Sequence, residues 1–395
     1  MPGPLAGFRI VDLSAVVSGP LATMLLADQG AEVIKIEPSG GDTTRLPLFE
    51  RGGITPLFAN VNRGKRSLVL DLNQPRAREI VLQLAAEADV FVQNFRPGAI
   101  ERMGLGEETI RAVRSDIVYV SINGFGETGP YAKRRAYDPI IQGLSGHIAV
   151  QRSLTTGERD VVRTITCDKA TAYTAAQAIT AALLARERGA GGQHVRISML
   201  DASLAFFWPD GMVRHTMIGD GVGPGGTWYE SFRLTDTADG QILVYVATQG
   251  EFEAFCRAVG HPEWIDDPRF RTMPARLQNG ETFRQLRDAV VRSFTSEQLL
   301  ARLEAEQVPA GPVHELVDIL ADPQVAANAV LVESDHPHAG RIRQARPAPR
   351  FERTPTPPGR HAPRLDEHTD EILAELGVSA DEIAQLRRAQ VIGVE

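Results

Sequence analysis

The chain has 395 residues, 43% of them hydrophobic and 23% charged, with a formal net charge of −8. That length can bury one large core or two smaller ones, and a mildly acidic chain without a long Lys/Arg run excludes nucleic acid as an expected partner. Two cysteines, Cys167 and Cys256, are too few for a disulfide framework or a Cys-based zinc site, and with no apolar run of about 18 residues and no basic-then-apolar leader pattern the expected compartment is the cytoplasm, without a membrane partner.

In chain order, FRIVDL (residues 8–13), EVIKIE (32–37), SLVLDL (67–72), DVFVQNF (89–95) and DIVYVSI (116–122) read as short strands. They alternate with helical patterns, among them LATMLLADQG closed by Gly30 and a segment opening at Pro75. Strands alternating with helices of this length predict a doubly wound α/β fold with a parallel sheet. Residues 168–188 form an Ala-rich helical run, acidic at its start and basic in its last turn, as the helix dipole favours. A Gly-rich stretch at 219–226 marks a boundary or loop. Beyond it, ILVYVAT (242–248) and amphipathic runs at 251–259, 281–294 and 296–306 indicate a smaller α+β domain. A Pro- and Arg-rich segment from 343 to 363 then leads to one more helical unit, at 368–388. The expected division is a large domain from residues 1–225 and 330–395 and a small one from 226–329.

Most motifs fail on inspection. The loop after the first strand, LSAVVSGP, lacks the Gly-rich dinucleotide fingerprint; NRGKRS (62–67) has Ala59 where a phosphate loop needs its first Gly; GLSGH around Ser145 misses the nucleophile elbow by one residue. No histidine pattern predicts a metal site, and His336 and His338 read as a solvated turn. Cys167 reads as a buried apolar thiol. NFRPG (94–98) follows a strand at the sheet edge where ligands bind, but on its own it is a strand-end turn. It becomes a candidate anion site through basic company: Lys65, Arg66, Arg96, Arg102 and residues 133–135. Asp168, at the head of the Ala-rich helix, is on its own an ordinary cap. Backbone donors and the helix end there would hold its carboxyl low and ionised, as a carboxylate nucleophile requires.

Longer stretches resemble one family. Residues 5–45, NRGKRSLVLDL (62–72), NFRPGAIERMGLG (94–106), SINGFGETGPYAKRRAYD (121–138) and LDEHTDEILAELG (365–377) are similar to class III CoA-transferases, which include formyl-CoA transferase and the carnitine CoA-transferases. Asp366 stands where that family usually has Gly. The resemblance implies a Rossmann-like large domain built from both chain ends, a small domain, and an interlocked homodimer. It implies coenzyme A as substrate rather than resident cofactor, and no metal. Asp168 matches the catalytic carboxylate, with Tyr137 and Asp138 as candidate support. Val17, Ser18, Leu70, Asp71, Leu72, Asn73, Asn94, Phe95, Arg96, Arg102 and Arg135 match positions that bind CoA. Pro38 departs from relatives that carry a basic residue there, with Arg45 as the candidate substitute. A Gly-rich loop, residues 223–227, is a candidate donor of oxyanion hydrogen bonds. Arg45, Arg163 and Arg214 are candidates for reading a second carboxylate, which would favour a dicarboxylic acid. The same fold hosts 2-methylacyl-CoA racemases, which place a His before the Asp; here it is Tyr137, and a phenol is a poor base at neutral pH. Transfer of CoA from an acyl-CoA to a carboxylic acid through an aspartyl thioester is therefore the expected activity, and racemisation the alternative.

Overall fold

The computed structural model describes residues 3–46, 49–153, 156–221, 232–356 and 359–394. Six strands pair in parallel: β1 (Arg9–Asp12), β2 (Glu32–Glu37), β3 (Lys65–Val69), β4 (Val90–Gln93), β5 (Val118–Asn123) and β6 (His194–Ser198). Their order across the sheet is β3-β2-β1-β4-β5-β6. This is the doubly wound α/β arrangement that the alternating pattern predicts. The winding reverses between β1 and β4, the kind of switch point at whose carboxyl edge open α/β sheets bind ligands.

The helices of the N-terminal part are α1 (Ser18–Ala27), α2 (Pro56–Asn62), α3 (Pro75–Ala86), α4 (Ala99–Arg102), α5 (Glu107–Val113), α6 (Asp138–Leu144), α7 (His147–Val150), α8 (Thr166–Ala185) and α9 (Met199–Gly211). One face of the sheet packs Val11, Ile34, Leu68, Phe91 and Tyr119 against α3, α5 and the C-terminal helices Thr369–Glu375 and Ala380–Arg388. The other packs Ile10, Val33, Val90, Val118 and Val120 against α1 and α8. Successive strand residues point to opposite faces, and with both faces covered the strands carry apolar residues in both registers, while Lys35 and Lys65 are buried on Asp42 and Asp12. The residues that α8 turns to the core are mostly Ala, including Ala172, Ala175 and Ala176. Side chains this small let α8 lie close to α1.

The chain divides into two units, residues 1–213 with 330–395 and residues 214–329. The second unit has a three-stranded antiparallel sheet, Leu234–Asp236, Gln241–Val244 and Ala310–Pro312. The helices Gln249–Ala258 and Ser296–Ala305 each open with a capping box, Thr248 with Glu251 and Thr295 with Gln298. Phe252, Phe255, Trp264 and Phe270 fill its core. The boundary expected at 225/226 lies outside the described residues.

Two expectations are corrected. The Pro- and Arg-rich segment does not begin as an open connection, because Gly340–Ala345 pairs antiparallel with Leu331–His336. His336 is not solvated. It is buried, its Nε2 donating to the Ala362 carbonyl at 2.8 Å and its Nδ1 accepting the backbone N–H groups of His338 and Ala339 at 3.1 Å. Both ring nitrogens are spent on organising the turn. Among the described residues no helix is long and apolar enough to cross a membrane.

Candidate active site

Asp168 is the third residue of α8, whose cap position is Ile165. Its carboxylate serves the start of α1 rather than its own helix: Oδ1 accepts the Ser18 hydroxyl at 2.8 Å, and the Ser18 backbone N–H also supports it. The first N–H groups of a helix lack intrahelical partners, so a carboxylate there meets orphan donors and the positive helix end. Yet Asp168 is only 8% exposed. Burial, with the neighbouring charge of Asp138, outweighs the Ser18 donors and pushes the carboxyl up to about 6. The low, cap-stabilised carboxyl expected from the sequence is thus reversed by desolvation.

Asp138 opens α6 and is buried. Its Oδ2 accepts the Asp168 backbone N–H at 2.9 Å, so it caps the first turn of α8 from another helix. Its Oδ1 accepts Gln142 Nε2 at 2.5 Å, and Gln142 exchanges further bonds with the Val162 backbone at 3.0 Å. The segment entering α8 is therefore tied to α6. A Cβ on Gly124, just past β5, would sit 2.3 Å from Ala136 Cβ. Only glycine lets the strand end lie against the segment that presents Tyr137 and Asp138.

The loop between β1 and α1 is fixed from several sides. Val16 has φ of 70°, a left-handed conformation that a β-branched residue adopts only when its surroundings impose it. Its N–H is held by the Asp42 carboxylate at 3.2 Å. Asn94, at the carboxyl end of β4, accepts the Ala15 N–H at 2.9 Å and donates to the Ala15 carbonyl at 2.7 Å. Lys35 reaches both the Ser14 carbonyl at 2.8 Å and Asp42 at 3.0 Å. Asp12 holds the Ser14 N–H and hydroxyl, Thr23 and Lys65. Burial alone would raise the Asp12 carboxyl, but Lys65 and Lys35 hold it down to about 2. A Cβ on Gly19 would lie 2.3 Å from Ser14 Cβ, so this loop can rest on α1 only because residue 19 has none.

The other sequence candidates fall into distinct places. Val17 is buried at the head of α1. Leu70 is buried in the core, and its N–H goes to Glu37. Asp71 holds the Asn73 N–H and side-chain amide and the Gln74 amide, while Leu72 and Phe95 are partly buried against the core. Asn73 is exposed. Arg96, Arg102 and Arg135 are exposed and form no ion pair among the described residues. Tyr137 is 64% exposed. Lys65 and Arg66 are not part of an open basic surface: Lys65 is fully buried on Asp12, and Arg66 pairs with Glu32, Glu371 and Glu375. Arg45 is equally occupied, bidentate on Glu37 at 2.8 Å and stacked over Phe58. Arg163 pairs with Asp160. Residues 223–227 lie outside the described residues. No cluster of metal-ligating side chains occurs among the described residues.

Sequence reasoning missed the polar group behind Asp168. Ser145 accepts from His147 Nδ1 at 2.9 Å while donating to the Ile141 carbonyl at 2.7 Å, and it lies 4.0 Å from Cys167 Sγ. His147 Nε2 is buried and has no partner among the described residues, and burial lowers the imidazole below its ordinary range. Both residues lie in GLSGH, whose sequence signals only a near miss of the hydrolase elbow.

The model of CoA-transferase family III matches residues 5–369. The chain belongs to that family. Family III members are transferases that use CoA thioesters as substrates. The chain is 34% identical to a succinate–glutarate CoA-transferase of Agrobacterium fabrum, covering 94% of this chain and 96% of that protein. It is 32% identical to a formyl-CoA:oxalate CoA-transferase of Escherichia coli O6:H1, over 99% and 100% of the two chains. Its fold is similar to the crystal structure of a CAIB/BAIF family protein from Brucella suis, with a TM-score of 0.82, 31% identity, and coverage of 95% and 100%.

Proposed function

We propose that this family III chain moves CoA from an acyl-CoA donor to a carboxylic acid through a covalent thioester on Asp168. The observation that carries the reading is the buried Asp168 carboxylate on the Ser18 donors. Asp168 attacks the donor carbonyl; the carbon–sulfur bond breaks, leaving a mixed anhydride and CoA thiolate. The thiolate attacks the aspartyl carbonyl, which frees the donor acid and leaves the enzyme thioester. The acceptor carboxylate reverses both steps. No proton is needed, and one hard transfer becomes several easier ones. When thiolate or acceptor attacks the aspartyl carbon, negative charge collects on an Asp168 oxygen. Ser18 supplies a hydroxyl and a helix-start N–H for it, an oxyanion hole built before substrate arrives.

In this reading Asp138 positions Asp168 through its backbone N–H, and Tyr137 lies at the open side of the site. Val17, Ser18, residues 70–73, Asn94, Phe95, Arg96, Arg102 and Arg135 hold CoA, with the three exposed arginines on its phosphates. Succinate, glutarate and oxalate appear in the names of the relatives, which supports a dicarboxylic acid as donor or acceptor. The chain acts as an interlocked homodimer in the cytoplasm. Tyr137 in place of a His base counts against racemisation.

The test is Asp168→Ala and Asp168→Asn assayed with succinyl-CoA and a panel of acids, product read by mass. Transfer is expected to fall below detection while CoA still binds. Hydroxylamine added to wild type during turnover should convert Asp168 to its hydroxamate. Full activity in Asp168→Ala, or turnover with no adduct at Asp168, rejects the mechanism. Incorporation of solvent deuterium into a 2-methylacyl-CoA would instead establish the racemase reading.

A further inference from the structure

On the face of the sheet away from α8, a cavity of about 520 Å³ opens beside the carboxyl ends of β4 and β5. It is lined by Gln93, Ser121, Asn123, Glu107, His194 and Arg196, and also by Phe95 and Arg96, two of the residues proposed to hold CoA. That volume is in the range of small-molecule sites. Asp168 lies on the opposite face: Tyr119, Ser121 and Asn123 alternate along β5 with Val118, Val120 and Ile122, and the latter pack with α8.

Within it, Ser121 Oγ lies 2.8 Å from His194 Nε2, and His194 Nδ1 lies 2.6 Å from Glu107 Oε2. The proton positions follow from the partners. A carboxylate only accepts, so Nδ1 carries the ring proton, Nε2 presents a lone pair, and the Ser121 hydroxyl donates to it. Gln93 Nε2 donates to the remaining side of Ser121 Oγ at 2.9 Å, fixing the hydroxyl. The imidazole is also held edge-on to Tyr119, ring centres 5.0 Å apart. Glu107 opens α5. Asn123 gives its carbonyl to the Gly126 N–H at 2.5 Å, which leaves its amide N–H groups without a partner among the described residues. A nucleophile, a base, an acid that orients the base, and a free amide donor two residues along the same strand face are the parts of a serine acyl hydrolase.

We propose that Ser121, His194 and Glu107 form a second site, which hydrolyses an ester or thioester of a short acyl group. Ser121 Oγ attacks the carbonyl carbon as its proton passes to His194 Nε2. The bond to the leaving oxygen or sulfur breaks, and the imidazolium returns the proton to that atom. Water then repeats the sequence, releasing the acid and restoring Ser121. Asn123 Nδ2 is the donor to the oxyanion. Glu101, Glu107, Glu108 and Glu127 line the cavity together with Arg96 and Arg196.

The experiment treats the full chain with a fluorophosphonate and locates the adduct by peptide mass, alongside hydrolysis of p-nitrophenyl acetate. An adduct on Ser121 is expected, absent in Ser121→Ala, slowed by about 100-fold in His194→Gln, and formed at the wild-type rate in Asp168→Ala. Glu107→Gln, which keeps the hydrogen bond but not the charge, should slow labelling and ester hydrolysis together. The proposal is overturned if folded wild type gains no adduct at Ser121, or if labelling is as fast in His194→Gln and Glu107→Gln. Loss of labelling in Asp168→Ala would also overturn it, because the two sites would then not be separate.

Discussion

At Asp168 the same position that invites a cap also removes the carboxylate from water, and the removal dominates. A carboxyl raised from 3.8 to about 6 binds a proton in the folded chain that the unfolded chain has already released between those pH values. Its contribution to stability is therefore greatest below pH ~4 and is lost as pH rises through ~6. Two outcomes follow. The rate of transfer should rise with pH through about 6 and level off above it, because the nucleophile proposed at Asp168 attacks only when ionised. Asp168→Asn, expected to be inactive, should be more stable than wild type at pH 7.5 by about 1–3 kcal/mol and no more stable at pH 4, read by urea unfolding. Equal stability at both pH values would show that the Ser18 donors, and not burial, govern this group. The sequence shows an acidic residue at a helix start, but its burial depends on which elements cover it, and that is not local.

At the scale of elements, the strand-to-helix loop after β1 carries the strain. Val16 holds a conformation costing on the order of 1–3 kcal/mol for such a residue, and Asn94, Asp42 and Lys35 hold the loop in place. Asn94→Ala removes two partly buried hydrogen bonds to Ala15. It should destabilise the chain by about 1–3 kcal/mol and lower kcat, as Ser18 drifts from Asp168. A purely ligand-binding Asn94 would raise KM at unchanged stability, so thermal unfolding with steady-state kinetics separates the roles. Strand positions were legible because both faces of the sheet are covered, which makes each run short and rich in Val, Ile and Leu. The clamp was not, because Ala15 and Asn94 are distant in sequence and nothing in NFRPG announces its partner. Lys65 and Arg66 show the same limit: basic residues after a strand look like an anion site, yet Asp12, Glu32, Glu371 and Glu375 neutralise them from elsewhere in the chain.

Across the molecule, α8 and α9 leave large apolar side chains uncovered. Tyr173, Leu184, Phe206 and Trp208 are 60%, 52%, 63% and 43% exposed. Exposed aromatics gathered on packed helices support an association surface, in keeping with the proposed dimer. Light scattering should give twice the 43.0 kDa chain mass. If the two chains are interlocked, they part only by unfolding. The dimer should then persist on dilution to nanomolar concentration, and differently labelled dimers should not exchange chains over hours. Free exchange would leave a dimer but reject the interlocked form.

The sequence by itself determined the alternation of strands and helices, the family, and the residue types available for chemistry, because apolar periodicity and long ordered motifs are written locally along the chain. Tertiary structure alone decided what those residues meet. It set Asp168 against Ser18 across 150 residues, let burial outweigh the helix start, and put Lys65, Arg66 and Arg45 into ion pairs. It also aligned Ser121, His194 and Glu107 from two strands and a helix. Charge and hydrogen bonding act over a few ångströms of space, and only the fold establishes which distant residues come that close.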